Sequence, residues 1–283
     1  PLYSSAASDV YKRQVILYRP TGESGDFEKA NFPIGVEGGK TSTCPTQNLM
    51  EAYDMKDGTP FVWNNQSNPY DNRDPRMKYT IVCNEMKWPV DPVEIWEGGT
   101  NGLPLQNATT TGYYLKKYVN NTISFEAGST VTKKQHNWVL FRYGEILLNY
   151  AEAMINAFHD PNYKDAVYNM SAREAVNQIR GRTNISLPGF PSDITEKDFV
   201  KRLKNERRVE LAFEGHRFWD VRRWKELGQT ANIYGVKITK NNEVISYEKF
   251  LLETRAVTDN MYFYPIPNTE RFKNPNLGQN PGW

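Results

Sequence analysis

Residues 206–224, ERRVELAFEGHRFWDVRRW, constrain this chain more than any other stretch. Thr195 can cap a helix start with Asp198 three residues on, and helical spacing from there sets Phe199, Leu203, Glu206, Glu210 and Phe213 along one stripe. Gly215 then breaks the run. Two carboxylates therefore fall inside an apolar row. A glutamate there is costly to bury alone, so it requires a partner, and Arg207, Arg208, His216, Arg217, Arg222 and Arg223 are at hand. Two readings follow. In one, Glu206 and Glu210 form a catalytic carboxylate pair, one turn apart with Cβ atoms about 6 Å from each other. In the other they belong to an ion network that locks helices together. Adjacent guanidinium groups keep carboxylates ionised and work against a proton-donating acid, which favours the network. Nucleic-acid binding is a third use of such a segment. However, the nine Lys or Arg and five Asp or Glu of residues 201–226 are interleaved and form no basic stripe.

The chain reads as mainly α, with three parts. Residues 1–137 are loop-rich. Residues 1–44 read as loop, and PTQNLMEAYDMKDG (45–58) as a short capped helix with a turn at Asp57-Gly58. FVWNNQSNPYDNRDPR (61–76) is crowded with side chains that make turns by bonding their own backbone, so it reads as a structured loop. YTIVC (79–83) and TGYYLKKYV (111–119) read as strands. In 138–228, WVLFRYGEILLNYAEAMINAF (138–158) reads as one long helix with Val139, Tyr143, Ile146, Tyr150, Ala151 and Met154 on one face. YKDAVYNMSAREAVNQIRGR (163–182) reads as a second helix, and small residues facing large ones across a tight turn describe a tetratricopeptide-like pair. In 229–283, YGVKIT (234–239) and EVISYE (243–248) flank asparagines suited to a hairpin turn, and a Pro-rich tail anchored by Trp283 packs on the same body.

Aromatic content is 13%, with seven Trp and seventeen Tyr, more rings than a core requires. Trp63, Trp88 and Trp96 stand among turn-forming and polar residues, where a ring can be either a plug over the core or a platform for a flat ligand. Read as platforms, they stack the C–H face of a sugar while Asn64, Asn65 and Glu97 bond its hydroxyls. A net charge of +2 argues against a dedicated polyanion binder. Cys44 and Cys83 define neither a disulfide framework nor a metal cluster, and no loop has EF-hand spacing. No apolar run approaches the length of a membrane span, and PLYSSAASDVYKRQ lacks the apolar region of a signal peptide.

Seven pieces in order, PTQNLMEAYDMKDG, NPYDNRDPR, TGYYLKKYV, FRYGEILLNYAEA, ERRVELAFEGHRFWDVRRW, YFYPIPNTE and NPNLGQNPGW, give the chain a resemblance to the C-terminal half of SusD/RagB proteins, from about residue 43 to 283. The resemblance implies a lipid-anchored protein on the extracellular face of an outer membrane, with the anchor outside this chain. Such a protein binds oligosaccharide, or in some relatives peptide, at the mouth of a SusC-like TonB-dependent transporter. It needs no cofactor, performs no chemistry and binds no nucleic acid. A glycosidase built on Glu206 and Glu210, and a protein-binding helical-repeat scaffold, are the alternatives.

Overall fold

The computed structural model describes residues 15–64, 68–126 and 132–283. Of the loop predicted over 1–44, residues 1–14 lie outside the described residues and 32–44 are irregular as read, but between them stand a strand, β1 (Val15–Ser24), and a short helix, α1 (Asp26–Asn31). The strand escapes a sequence reading because it is mostly exposed and its ladder partner lies more than 100 residues away in β4 (Lys134–Arg142), where Tyr18 stands opposite Val139. That pairing also corrects the long helix predicted over 138–158. Residues 138–142 complete β4, and α4 runs only from Tyr143 to Phe158, closed by left-handed His159.

Local chemistry sets the remaining helix starts. In α2 (Gln47–Met50) the Thr46 hydroxyl accepts from the Leu49 amide. In α3 (Pro75–Thr80) Asp74 caps and Pro75 occupies the first turn, where its missing N–H costs nothing. This helix takes up the end of the predicted 61–76 loop and the first two residues of the predicted 79–83 strand, leaving β2 as Ile81–Val82. β2 pairs with β3 (Tyr114–Leu115), the one part of 111–119 that forms a strand. α5 (Ala172–Arg180) begins at a complete capping box of Ser171 and Glu174, eight residues after the predicted start at 163. α6 (Glu196–Glu210) is capped by Thr195 through the Asp198 amide, as its sequence predicts. α7 (Arg217–Arg223) follows Gly215 at φ 82°.

The predicted hairpin is present and longer than read, with β5 (Asn232–Asn241) and β6 (Val244–Thr254) joined through Asn242 at φ 56°. A final short helix, α8 (Asn268–Lys273), lies in the tail. Trp283 donates its indole N–H to the carbonyls of Asn260 and Phe263 at 2.9 and 3.1 Å.

Two apolar cores result. One gathers Met50, Tyr53, Met77, Ile81, Trp88, Tyr113, Tyr114, Val236 and Ile238 from α2, α3, the loops, β2, β3 and the hairpin. The other lies among α4, α5 and α6 and holds Leu148, Ala151, Ile155, Val176, Ile179, Phe199 and Leu203. The buried face of α4 is turned from the predicted one. Leu147, Leu148, Ala151, Met154 and Ile155 are inside, whereas Tyr143 and Ile146 are 45% and 42% exposed. Both stripes satisfy helical spacing, and the choice was made by the small residues of α5, Ala172 and Ala175, which admit the larger side chains of α4. Helices of this kind, a loop-rich region and a few short strands make the fold mainly α, as the sequence predicts.

Candidate functional site

Glu206 and Glu210, one turn apart on α6, are 2% and 1% exposed. Neighbours in sequence do not share a helix face, so Arg207 and Arg208 turn elsewhere, and the glutamates' partners arrive from distant elements. Arg76 of α3 bonds Glu206 and lies 2.9 Å from Glu210. Arg180 of α5 reaches Glu206 at 2.7 Å, Arg142 at the end of β4 reaches Glu210 at 2.7 Å, and Arg182 reaches it at 2.8 Å. The partners expected from the neighbouring segment are occupied differently: Arg207 pairs with Asp220 at 2.9 Å, as does Arg223. Phe213 leaves the stripe, because at φ 61° it stands in the turn after α6 and is 37% exposed.

Burial pushes the Glu210 carboxyl up, but the guanidinium groups of Arg182, Arg142 and Arg76 outweigh it and hold it well below the usual carboxylate range. Glu206 is lowered in the same contest between burial and Arg76 and Arg180. Glu214 is lowered by Lys117 and Arg142 against its burial. A sealed pair clamped by guanidinium groups and held below the usual carboxylate range has neither access to a substrate nor a proton to donate to a leaving group, so the glycosidase reading built on Glu206 and Glu210 is overturned. The cluster is a clamp that ties α6 to α3, β4 and α5.

Groups held below their ordinary value of 4.5 stabilise the fold above that pH, and the contribution is lost as pH falls through their lower folded values. We therefore expect the melting temperature to drop by about 5 °C as pH is taken from about 5 to about 3.5, read by calorimetry. Glu214→Gln should shallow that slope, and an unchanged slope in this variant would remove Glu214 from the cause.

The three predicted indoles have different fates. Trp88 is 4% exposed and lies in the core behind Lys116, whose ammonium is 4.9 Å from the ring centroid. It is a plug, buried in the same apolar cluster as Val93, Ile95 and the β2–β3 pair, and so offers no face to a ligand. Trp63 is half-buried and meets Phe61 edge to face at 6.4 Å, with exposed Asn64 beside it in the chain. Asn65 lies outside the described residues. Trp96 is half-buried as well, and Lys240 holds its ammonium 4.3 Å from the indole centroid. The next residue, Glu97, is exposed and pairs with Lys237 at 3.3 Å. Trp96 and Glu97 thus come together against the hairpin, whereas Trp63 packs with Phe61 of its own loop against the first core.

The backbone explains the Trp96 arrangement. The free edge of β5 is covered by two loops, since the Glu97 amide donates to the Ile238 carbonyl and the Val236 amide donates to the Thr111 carbonyl, both at 2.9 Å. Gly112 permits the second approach: at φ 81°, a Cβ there would stand 2.4 Å from the Val236 carbonyl oxygen. Between the two loops opens a groove of about 240 Å³, lined by Glu97, Thr109, Thr110, Lys237 and Phe250. Hydroxyls, one carboxylate and one ammonium over an apolar floor can bond several hydroxyl groups of a ligand at once. Sequence reasoning missed Lys237, Lys240 and the threonines, because an isolated hairpin gives no sign of which loop will dock on its edge. Among the described residues no group of three His, Cys, Asp or Glu could hold a metal ion, and Cys44 and Cys83 are not bonded.

A model of the SusD family matches residues 17–283. SusD-like protein P2 of Formosa agariphila is 29% identical over 163 residues, which are 56% of this chain and 28% of that protein. SusD-like protein P38 of the same organism is 37% identical over 150 residues, or 51% of this chain and 24% of that protein. Among solved structures, a SusD-like protein from Bacteroides fragilis superposes with a TM-score of 0.76 at 25% identity, covering 98% of this chain and 55% of the other. A SusD-like carbohydrate-binding protein from the same species gives 0.75 at 24% identity, with 96% and 56% covered. The chain therefore spans about a quarter of the curated relatives it matches and about half of these solved relatives.

Proposed function

The chain belongs to the SusD family, and on that premise we propose that it captures oligosaccharide without transforming it and passes it to a SusC-like TonB-dependent transporter at the extracellular face of an outer membrane. The observation that carries the reading is the family match over nearly the whole chain, joined to a groove lined by Glu97, Thr110 and Lys237 and adjoined in the chain by the half-buried Trp96. The carbohydrate-binding relative in Bacteroides fragilis, which shares the fold, is in keeping with it. In this reading Glu97, Lys237 and the Thr110 hydroxyl bond the hydroxyls of a sugar in the groove, while Trp96, next to Glu97 in the chain, offers its indole as a stacking face. Trp63, with Asn64 and Asn65 beside it in the chain, is a second, separate contact. The reading includes a lipid anchor outside this chain. No helix among the described residues is long and apolar enough to cross a membrane.

The test is affinity electrophoresis and calorimetric titration against a panel of plant, algal and host-type oligosaccharides. Loss of a stacking ring and its desolvated contacts is worth about 1.5 kcal/mol, so Trp96→Ala should weaken the best ligand about tenfold when titrated well below the variant's own melting transition. Affinity equal to wild type in both Trp96→Ala and Trp63→Ala would remove the indoles from the site. Co-purification of a TonB-dependent transporter from the native membrane tests the hand-over separately.

A further inference from the structure

A second concavity of about 470 Å³ lies where α6 faces the segment 51–61 and the start of α7. Its carboxylates already have partners: Glu51 pairs with Lys249 at 2.7 Å, Asp54 with Arg180 at 3.2 Å, Glu226 with Lys204 at 2.5 Å, and Glu206 belongs to the clamp. Two cations on its wall do not. Arg208 and Arg217 are half-buried, and among the described residues neither has a carboxylate within salt-bridge distance. Each bonds only a neutral oxygen, Arg208 the Asn48 carbonyl at 2.9 Å and Arg217 the Gln229 side chain at 2.8 Å. Burial, and next to it the positive charge of Arg217, push Arg208 down to about 10, with Glu51 and Tyr53 opposing. Two like charges held together in a half-buried wall are unfavourable until an anion joins them.

We propose that this cleft binds the carboxylate groups of an acidic oligosaccharide, with Arg208 and Arg217 as the anion-holding pair. The proposal rests on the glycan reading above and names a ligand class for a second subsite. Fork-shaped guanidinium groups match planar carboxylates through paired N–H bonds. Exposed Lys197 and Lys201 add positive charge at the rim. A saccharide is favoured over an acidic protein segment for two reasons. The cleft has the volume of a small-ligand site. Its two phenyl rings, Phe61 and Phe190, are already covered by Arg73 at 3.7 Å and Arg202 at 4.3 Å, so no open apolar socket remains for a peptide side chain.

Hexagalacturonate and its fully methyl-esterified form, which share a backbone and differ in charge, are titrated into the 283-residue chain and into its Trp96→Ala variant. The free acid should bind both proteins, with the ester at least tenfold weaker. Arg208→Gln/Arg217→Gln should lose at least tenfold. Because that variant can also loosen the fold, Lys197→Gln/Lys201→Gln, altered only at exposed positions, serves as the second arm and should lose two- to threefold with a shallower dependence on salt. Equal binding of acid and ester, no binding of the acid, or wild-type affinity in both variants overturns the proposal. Tighter binding of hexaglutamate than of hexagalacturonate reassigns the cleft to an acidic protein segment and overturns it too. Failure here with an intact Trp96 effect on neutral glycans leaves the first site standing. Acid-selective binding that survives Trp96→Ala leaves this one standing alone.

Discussion

Glu210→Ala should lower the melting temperature by about 10 °C, the largest single effect expected anywhere in this chain. The substitution leaves Arg76, Arg142 and Arg182 facing one another in a place that water does not reach, since the Glu210 side chain is fully buried and those of Arg76 and Arg142 are 5% and 2% exposed. Removing one partner from a buried ion pair costs about 3–5 kcal/mol, mostly as the penalty of the charges left behind. Against a total stability of about 5–15 kcal/mol this is a large fraction. The exposed Glu270–Lys273 pair provides the contrast: Glu270→Ala should change the melting temperature by less than a degree, because solvent already screens that interaction. A Glu210→Ala protein that melts with the wild type would mean that the arginines find other anions or water, and the clamp would not be what holds α6 to its neighbours.

Gly112→Val should be nearly as damaging, at about 3 kcal/mol or more, and should abolish glycan binding with it. The residue sits at φ 81°, which disfavours any side chain and a β-branched one most, and the new Cβ would lie 2.4 Å from the Val236 carbonyl oxygen and 2.6 Å from its Cγ1. Both obstacles belong to a paired strand in a packed core, so the loop must give way. The Thr111–Val236 hydrogen bond would go with it, and the groove between the loop and Glu97 would lose one wall. Gly98 separates strain from clash, because it has a similar φ of 87° and nothing within 4 Å of the added Cβ. Gly98→Ala should therefore cost only about 1–2 kcal/mol, the price of a left-handed angle. Thermal melts and oligosaccharide titrations of the two variants decide the matter. Equal losses would show that backbone angle alone matters and that the loop is not pinned to β5.

The helix cap at Thr195, the hairpin turn at Asn241 and Asn242 and the stop at Gly215 were legible in the sequence, because each is decided by bonds within a few residues of itself. The seven ordered motifs carried the family for the same reason that they are motifs: each encodes a local shape. Tertiary structure alone chose what fills the space between such elements. Which stripe of α4 turns inward depended on the small residues of α5, the ladder of β1 depended on β4 far along the chain, and the partners of Glu206 and Glu210 came from three other elements. Trp88 and Trp96 look alike in sequence, each in a loop of Pro, Gly and carboxylates, yet one is sealed in the core and the other stays half-buried against the hairpin's Lys240. Burial is a property of what packs on a residue from elsewhere, and no local signal carries it.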